Sequence, residues 1–89
     1  MRELRWSLEK NEWLKKERGI SFEQLTNARF LGTEKHLSKH HQRLMIFEFK
    51  NYAWVIPYVK GKDYFFLKTA FPSHKHTKRY LTGDKNEEN

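Results

Sequence analysis

The sequence predicts an α+β fold, in which two N-terminal helices and a short C-terminal helix pack on one face of an antiparallel sheet of three or four strands. Three features of the 89-residue chain predict it: helix caps near the N-terminus, strand-like alternation in the middle, and a proline before a last polar segment. Residues 1–83 are expected to form one domain, and residues 84–89 a disordered acidic tail.

The first predicted elements are a short extended segment and a helix. Residues 4–6 are expected to form an edge strand or an extended lead-in. Ser7 is the predicted N-cap of a helix that runs to about Arg18, because a serine side chain accepts a hydrogen bond from a free N–H group at a helix start. Gly19 follows at the position that favours a left-handed backbone. The residues that this helix can bury are Trp13 and Leu14.

A second helix is predicted by the strongest local signal in the chain. Ser21 and Gln24 have the spacing of a capping box. Ile20 and Leu25 can form a hydrophobic staple across that box. Apolar residues then continue at helical spacing: Phe22, Leu25, Ala28 and Leu31. Gly32 is expected to end the helix.

The middle of the chain is typical of an antiparallel meander. Three alternatives remain for residues 33–43: a short polar helix, a loop or a weak edge strand. After them, the residues alternate as strands do in three runs: 44–50, 52–59 and 64–71. Asn51 marks the first turn and residues 60–63 the second. Pro57 predicts a bulge or an unpaired position in the second run, because proline cannot donate to a ladder.

The last predicted element is a basic helix. Pro72 or Ser73 is expected to start it, and it is expected to run to about Leu81 and end at Gly83. Its cations Lys75, Lys78 and Arg79 would share one side, while His76 and Tyr80 would share an adjacent side. Lys68, which has the strand parity of Tyr64 and Phe66, is expected near the start of this helix.

The charge distribution favours a polyanionic or acidic partner over a merely solvated basic face. The net charge is +7, and residues 50–81 hold seven Lys or Arg against Asp63 alone. The chain has no cysteine, no apolar run long enough to span a membrane and no apolar signal segment. A cytoplasmic location without membrane association is therefore expected.

A basic helix beside aromatic strands suits RNA, because cations hold phosphates and aromatic rings stack unpaired bases. Most of the aromatic residues in residues 64–71 are nevertheless expected in the core. Metal-free RNA cleavage needs a base, an acid and cations. The candidate catalytic residues are His74, His76, Arg79 and Tyr80. The candidate RNA-binding residues are Lys68, Lys75, Lys78 and Arg79.

Other chemistries have little support in the sequence. His36 and His40 have the spacing of a helical metal pair, but no cysteine or nearby acidic residue completes a site, so neither a metal nor a cofactor is expected. The chain has no glycine-rich phosphate loop, no H-E-x-x-H motif, no paired-carboxylate site and no support for a serine hydrolase triad.

The opening segment WSLEKNEWLKKERGISFEQL resembles the start of BrnT-type toxins of bacterial toxin–antitoxin systems. Those proteins begin with an aromatic residue and a polar cap, a helix rich in lysine and asparagine, a basic-Gly-Val/Ile step and SFEEA. The closing segment PSHKHTKRYL is similar to their SARKATRRE…Y helix, with matching types at Lys75, Thr77, Lys78 and Arg79. The middle segment YAWVIPYV…YFFLKTAFPS is similar to YVYLVPFV…IFLKTIIPSRK of related small toxins.

The resemblance covers about residues 4–81. It implies a RelE-like ribonuclease fold, mRNA cleavage, on the ribosome or free of it, and neutralisation by a cognate antitoxin. The chain departs from the family where His74 replaces an arginine, His76 an alanine and Tyr80 a glutamate.

Three functions follow as hypotheses. The first is a metal-independent endoribonuclease toxin in which Lys68 and the last helix bind phosphate, and His74, His76 or Tyr80 moves protons. The second is a non-catalytic basic module that binds RNA or an acidic protein. The third is a structural partner whose aromatic sheet completes the interface of another protein.

Overall fold

A mixed sheet organises residues 3–81, the part of the chain that the computed structural model describes. The elements are β1 (Glu3–Trp6), α1 (Leu8–Arg18), α2 (Phe22–Thr26), β2 (Arg29–Lys35), β3 (Arg43–Phe49), β4 (Tyr52–Lys60), β5 (Tyr64–Leu67), β6 (Phe71–Pro72) and α3 (His74–Tyr80). The strand order is β1-β5-β4-β3-β2, and β6 pairs with β4 beyond the end of β5.

The α+β class is confirmed, but the predicted sheet was too small and too regular. The described residues form six strands instead of three or four. The sheet is mixed because β1 pairs parallel to β5, while the pairs β2–β3, β3–β4 and β4–β5 are antiparallel. Residues 4–6 do form an edge strand, and β1 can be parallel to β5 because α1, α2 and three strands separate the two in the chain.

The start and end of α1 follow its caps. The Ser7 side chain accepts a hydrogen bond from the Lys10 N–H, and Gly19 adopts the left-handed conformation with φ of 67°. Leu14 is fully buried as predicted. Trp13 is not buried: it is 40% exposed, and the cationic groups of Lys10 and Arg18 lie 4.6 and 4.8 Å from the centre of its ring.

The second helix is much shorter than predicted. Ser21 and Gln24 form the capping box, but α2 ends at Thr26, and Asn27 caps it by donating from its side-chain amide to the Glu23 carbonyl. The expected end at Gly32 is wrong. That glycine lies in β2, where the β2–β3 register shifts at a bulge and its φ is 155°.

The β3–β4 hairpin confirms the meander. Lys50 and Asn51, with φ of 55° and 64°, form its two-residue turn. Pro57 pairs with Leu44 of β3, and its carbonyl accepts a hydrogen bond from the Lys68 N–H. On that edge, β4 pairs with β5 at residues 58–60 and with β6 at residues 54–55. Pro57 therefore lies between the two pairings, where no ladder donor is required.

Helices cover both faces of the sheet, not one. On one face, which we call the α1 face, Leu14 of α1 and Phe22 and Leu25 of α2 are buried against Met45 and Phe47 of β3. The opposite face, the α3 face, has its own smaller core. It contains Ile46, Ala53 and Val55, with Leu31, Leu44, Phe71, Tyr80 and Leu81 packed around them.

Two predictions fall on residues that the structure does not describe. The helix end at Gly83, with the domain boundary there, and the tail at residues 84–89 lie outside residues 3–81. Within residues 3–81, no helix has both the length and the apolar composition needed to cross a membrane.

Candidate nucleic-acid interface

The C-terminal helix is fixed on the sheet by two hydroxyl groups. Ser73, predicted as one of two possible starts, is the N-cap of α3 and accepts a hydrogen bond from the His76 N–H. The Thr77 hydroxyl accepts a hydrogen bond of 2.8 Å from the Ala53 N–H and donates one of 2.7 Å to the Ser73 carbonyl. Ala53 and Thr77 are both buried, so α3 is positioned rigidly over β4.

One carboxylate of β2 organises the side of α3 that faces the strand. Glu34 accepts hydrogen bonds from the Tyr80 hydroxyl at 2.8 Å and from the Arg79 guanidinium at 2.6 Å. His76 Nε2 lies 3.1 Å from the other Glu34 oxygen. Three of the four predicted catalytic residues thus meet at an acidic residue that the sequence analysis did not single out.

The hydrogen bonds around His76 define its tautomer. Nε2 faces a carboxylate, which only accepts, so Nε2 carries a proton. Nδ1 lies 2.7 Å from the Ser73 hydroxyl, which can donate to it. A neutral imidazole therefore has both nitrogens bonded, and His76 is only 7% exposed. This side chain supports the helix and orients Glu34, and it is not open to a ligand.

The same network shifts the pKa values of its acidic members. Burial alone raises the pKa of Glu34, but hydrogen bonds from Tyr80, Arg79 and His76 outweigh burial, so this pKa lies below its ordinary value. Burial, and then the hydrogen bond to Glu34, raise the pKa of the Tyr80 phenol. Glu34 is therefore held ionised and is a weak base, while Tyr80 holds its proton firmly.

The remaining residues predicted on α3 lie at the surface. His74, Lys75, Lys78 and Arg79 are exposed. Arg79 belongs both to the Glu34 network and to the exposed surface, because Glu34 accepts a hydrogen bond from its guanidinium while its side chain is 47% exposed. A ligand phosphate on this side of α3 would therefore meet an oriented guanidinium together with exposed lysines.

Lys68 lies on the same face of the sheet as α3. Its ammonium group is 5.7 Å from the centre of the Phe66 ring, and Phe66 pairs with Val59 of β4. Along β4, Ala53 lies under α3 and Pro57 lies beside Lys68. Four residues of strand separate those positions by about 13 Å. The structure thus places Lys68 and α3 on one face, above positions of β4 that are about 13 Å apart.

The part of the α3 face beyond Lys68 carries a second cation over an aromatic ring. The Arg5 guanidinium lies 4.3 Å from the centre of the Tyr64 ring, and Tyr64 is partly exposed, as Phe66 is. Of the four aromatic residues in residues 64–71, only two pack against a core, Phe65 on the α1 face and Phe71 on the α3 face, and none of the four is fully buried. Tyr64 and Phe66 are thus half-buried rings, each with a cation above it.

Two members of this surface were missed by the sequence analysis. Glu34 lies in residues 33–43, whose structure was left open, so nothing predicted that it faces α3. If residues 29–35 had been predicted as a strand, Glu34 and Gly32 would have been placed on the same face of it, because they are two residues apart. Gly32 lies next to Tyr80, so that face is the one that α3 covers. Arg5 had no signal of its own, because only the parallel pairing of β1 with β5 brings it to Tyr64.

The other histidines lie elsewhere. His36, His40 and His41 belong to the β2–β3 connection. Among residues 3–81, no three histidine or acidic side chains are grouped as metal ligands.

Comparison of the chain with protein-family models, with curated proteins and with solved structures finds no match. The similarity to BrnT-type toxins therefore stays a prediction.

Proposed function

We propose that this protein binds single-stranded RNA through its α3 face and cleaves it there, as the endoribonuclease toxin of a bacterial type II toxin–antitoxin system. The observation that carries the binding is the presence, on one face of the sheet, of exposed cations on α3 and of partly exposed aromatic rings on β5 that lie beside Arg5 and Lys68. Cations neutralise phosphates and aromatic rings stack bases, so the surface has both elements that single strands require.

In the proposed cleavage step, His74 and His76 of α3 have different roles. A base must take the proton of the 2′-hydroxyl, whose oxygen attacks phosphorus, and an acid must give a proton to the departing 5′-oxygen. His74 is the exposed imidazole of α3 and lies next to Lys75 in the chain. As the base, it takes the 2′-hydroxyl proton, and the imidazolium formed in this way then gives that proton to the departing 5′-oxygen. Arg79, oriented by Glu34, stabilises the charge on the phosphorane. His76 is a positioning residue.

The cellular setting follows from the sequence resemblance. Such a toxin acts in the cytoplasm on mRNA, with no metal or cofactor, and is held inactive by a cognate antitoxin. The positive surface of the toxin is suited to an acidic segment of that partner, because opposite potentials speed association and fix orientation.

A second candidate is a non-catalytic RNA-binding module. One observation favours it: Glu34 and Ser73 occupy the polar atoms of His76 and Tyr80, so two of the four predicted catalytic side chains are not open to RNA. The two candidates share the binding surface and differ only in whether His74 transfers protons.

Expression of the chain alone in bacteria, followed by incubation of the purified protein with single-stranded RNA, tests the proposal. We expect growth arrest, and cleavage in the presence of a chelator with 2′,3′-cyclic phosphate ends. His74→Ala should abolish cleavage and keep RNA binding, whereas Lys16→Ala on α1 should behave like the wild type. Binding without cleavage would support the second candidate, and absence of both would refute the two.

A further inference from the structure

A cleft of about 410 Å³ opens at the end of the sheet where β2 and β4 end and β3 begins. Its lining is basic and polar, and no acidic residue of residues 3–81 contributes to it. The lining residues are Lys35, His36, His40, His41, Gln42, Arg43, Tyr58 and Lys60. The hypotheses drawn from the sequence use none of them.

The strand residues of the cleft share the α1 face. Lys35 pairs with Arg43 across β2 and β3, and Arg43 pairs with Tyr58 across β3 and β4. Tyr58 belongs to the core of the α1 face, so this row points to that side. Lys60 follows two residues later in β4 and points the same way. The cleft and α3 therefore lie on opposite faces of the sheet.

The cations of the cleft repel one another. Lys35 and Arg43 are direct cross-strand partners, an arrangement that destabilises a sheet when the charges are alike. Neither these two nor Lys60 forms an ion pair with a carboxylate of residues 3–81. An anion in the cleft would convert this repulsion into attraction.

Two buried polar side chains also face the cleft. Tyr58 is 4% exposed and Gln42 is 8% exposed. Within residues 3–81, neither the Tyr58 hydroxyl nor the Gln42 amide has a hydrogen-bond partner, yet neither group is sealed from solvent. Both residues line the cleft, so its base carries hydrogen-bonding groups that the protein leaves open.

The connection between β2 and β3 adds a further donor. His36 Nδ1 accepts hydrogen bonds from the Ser38 and Lys39 N–H groups, at 3.2 and 3.1 Å. The proton of a neutral imidazole must then be on Nε2, which is a donor. The turn is thus built to hold His36 in the tautomer that can donate to an oxyanion.

We propose that this cleft binds the terminal phosphate of a nucleotide, either a free nucleoside monophosphate or the phosphorylated end of an RNA. A phosphate monoester carries between one and two negative charges at neutral pH, so it matches three converging cations better than the single charge of a diester. The cleft volume lies in the range of small-molecule sites and exceeds what a bare phosphate fills. Tyr58 and Gln42 supply the hydrogen bonds that orient the ligand.

This site does not rest on ribonuclease activity. It is separated from α3 by the sheet, and its residues are absent from the proposed cleavage step. If the protein is a ribonuclease, the cleft provides a place where a substrate or product end is held.

Titration of the complete protein with adenosine monophosphate, monitored by calorimetry, tests the proposal. We expect saturable binding, no binding of adenosine, and at least tenfold weaker binding of inorganic phosphate. Among short RNAs of one sequence, we expect those with a terminal phosphate to bind more tightly than those without it. Added adenosine monophosphate should abolish this difference in affinity. If only the free nucleotide binds, the ligand is the small molecule, and the site stands.

The decisive variant is Lys35→Glu. It replaces a like-charge pair with an ion pair to Arg43, so the melting temperature should stay equal or rise while affinity for adenosine monophosphate falls at least tenfold. Lys60→Ala should also weaken binding, and Lys16→Ala on α1 should not. Unchanged affinity in Lys35→Glu and Lys60→Ala, equal binding of adenosine, or loss of binding only in Lys75→Ala would overturn the proposal.

Discussion

Glu34 joins more of the predicted site than any other single residue. Its carboxylate accepts hydrogen bonds from Arg79 and Tyr80 and faces His76, so it ties β2 to α3 across the sheet face. Its side chain is 23% exposed, which leaves these hydrogen bonds only partly screened by water. The orientation of Arg79 toward a ligand therefore depends on the charge of Glu34.

Glu34→Gln should destabilise the protein in a pH-dependent way. The pKa of Glu34 is lowered in the folded state, so ionised Glu34 stabilises the fold above its ordinary pKa of 4.5. That contribution is lost as pH falls through 4.5 toward the lower folded-state value. In urea unfolding at several pH values, the difference between wild type and variant should therefore be large at pH 7 and shrink below pH 4.

Glu17→Gln is the control for this measurement, because Glu17 is exposed and pairs with no cation of residues 3–81. Its effect on the free energy of unfolding should be small, because the substitution removes no ion pair within residues 3–81. A difference for Glu34→Gln that is the same at pH 7 and pH 3.5 would contradict the assigned role of the carboxylate.

Thr77→Val should lower the free energy of unfolding by about 1–3 kcal/mol, because it leaves the buried Ala53 N–H without a partner. Thr77→Ser keeps the hydroxyl and loses only a methyl group, so it should cost less. Urea unfolding of the two variants provides the comparison. Equal losses would mean that the hydrogen bond to Ala53 contributes nothing beyond packing.

At the residue scale, the sequence predicts helix caps better than side-chain partners. Ser7 and Ser21 cap helices as predicted, and Ser73, one of two predicted helix starts, caps α3. These predictions succeed because a cap depends on neighbours within three residues. The partners of His76 are different, since Glu34 is 42 residues away and is brought close only by the β2–β3 pairing. A local sequence pattern covers only a few neighbouring residues, so it cannot predict a contact between residues 42 positions apart.

At the element scale, the β3–β4 hairpin depends on two left-handed residues. Asn51 has φ of 64°, a conformation that costs alanine about 1 kcal/mol and glycine nothing. Asn51→Ala should therefore lower stability by about 1 kcal/mol, while Asn51→Gly should leave it unchanged or higher. Thermal unfolding of both variants tests this, and an alanine variant as stable as the glycine variant would contradict it.

The length of α2 shows why local periodicity failed for one element. Ala28 and Leu31 continue the spacing of Phe22 and Leu25, but residues 29–35 pair with β3 instead. Pairing with the buried strand β3 provides hydrogen bonds for the backbone of residues 29–35, and this stabilisation outweighs the helical propensity of the segment. The signal that the sequence did contain is Asn27, which caps the helix end.

At the scale of the whole molecule, the sheet separates two basic regions. The α3 face carries exposed lysines and half-buried aromatic rings, and the cleft on the α1 face carries Lys35, Arg43 and Lys60. The sequence predicted the first, because its cations are close together in the chain. It could not predict the second, because strand register assembles cations from three different strands.

The central claim is that RNA binds on the α3 face, and its most direct test is the salt dependence of affinity. For a single-stranded RNA without terminal phosphates, the logarithm of the association constant should fall linearly with the logarithm of salt concentration. Lys68→Ala and Lys75→Ala should each weaken binding and reduce the slope by about 0.7, while Lys16→Ala on α1 should change neither. No RNA binding by the wild type, or slopes that both α3-face variants leave unchanged, would contradict the claim.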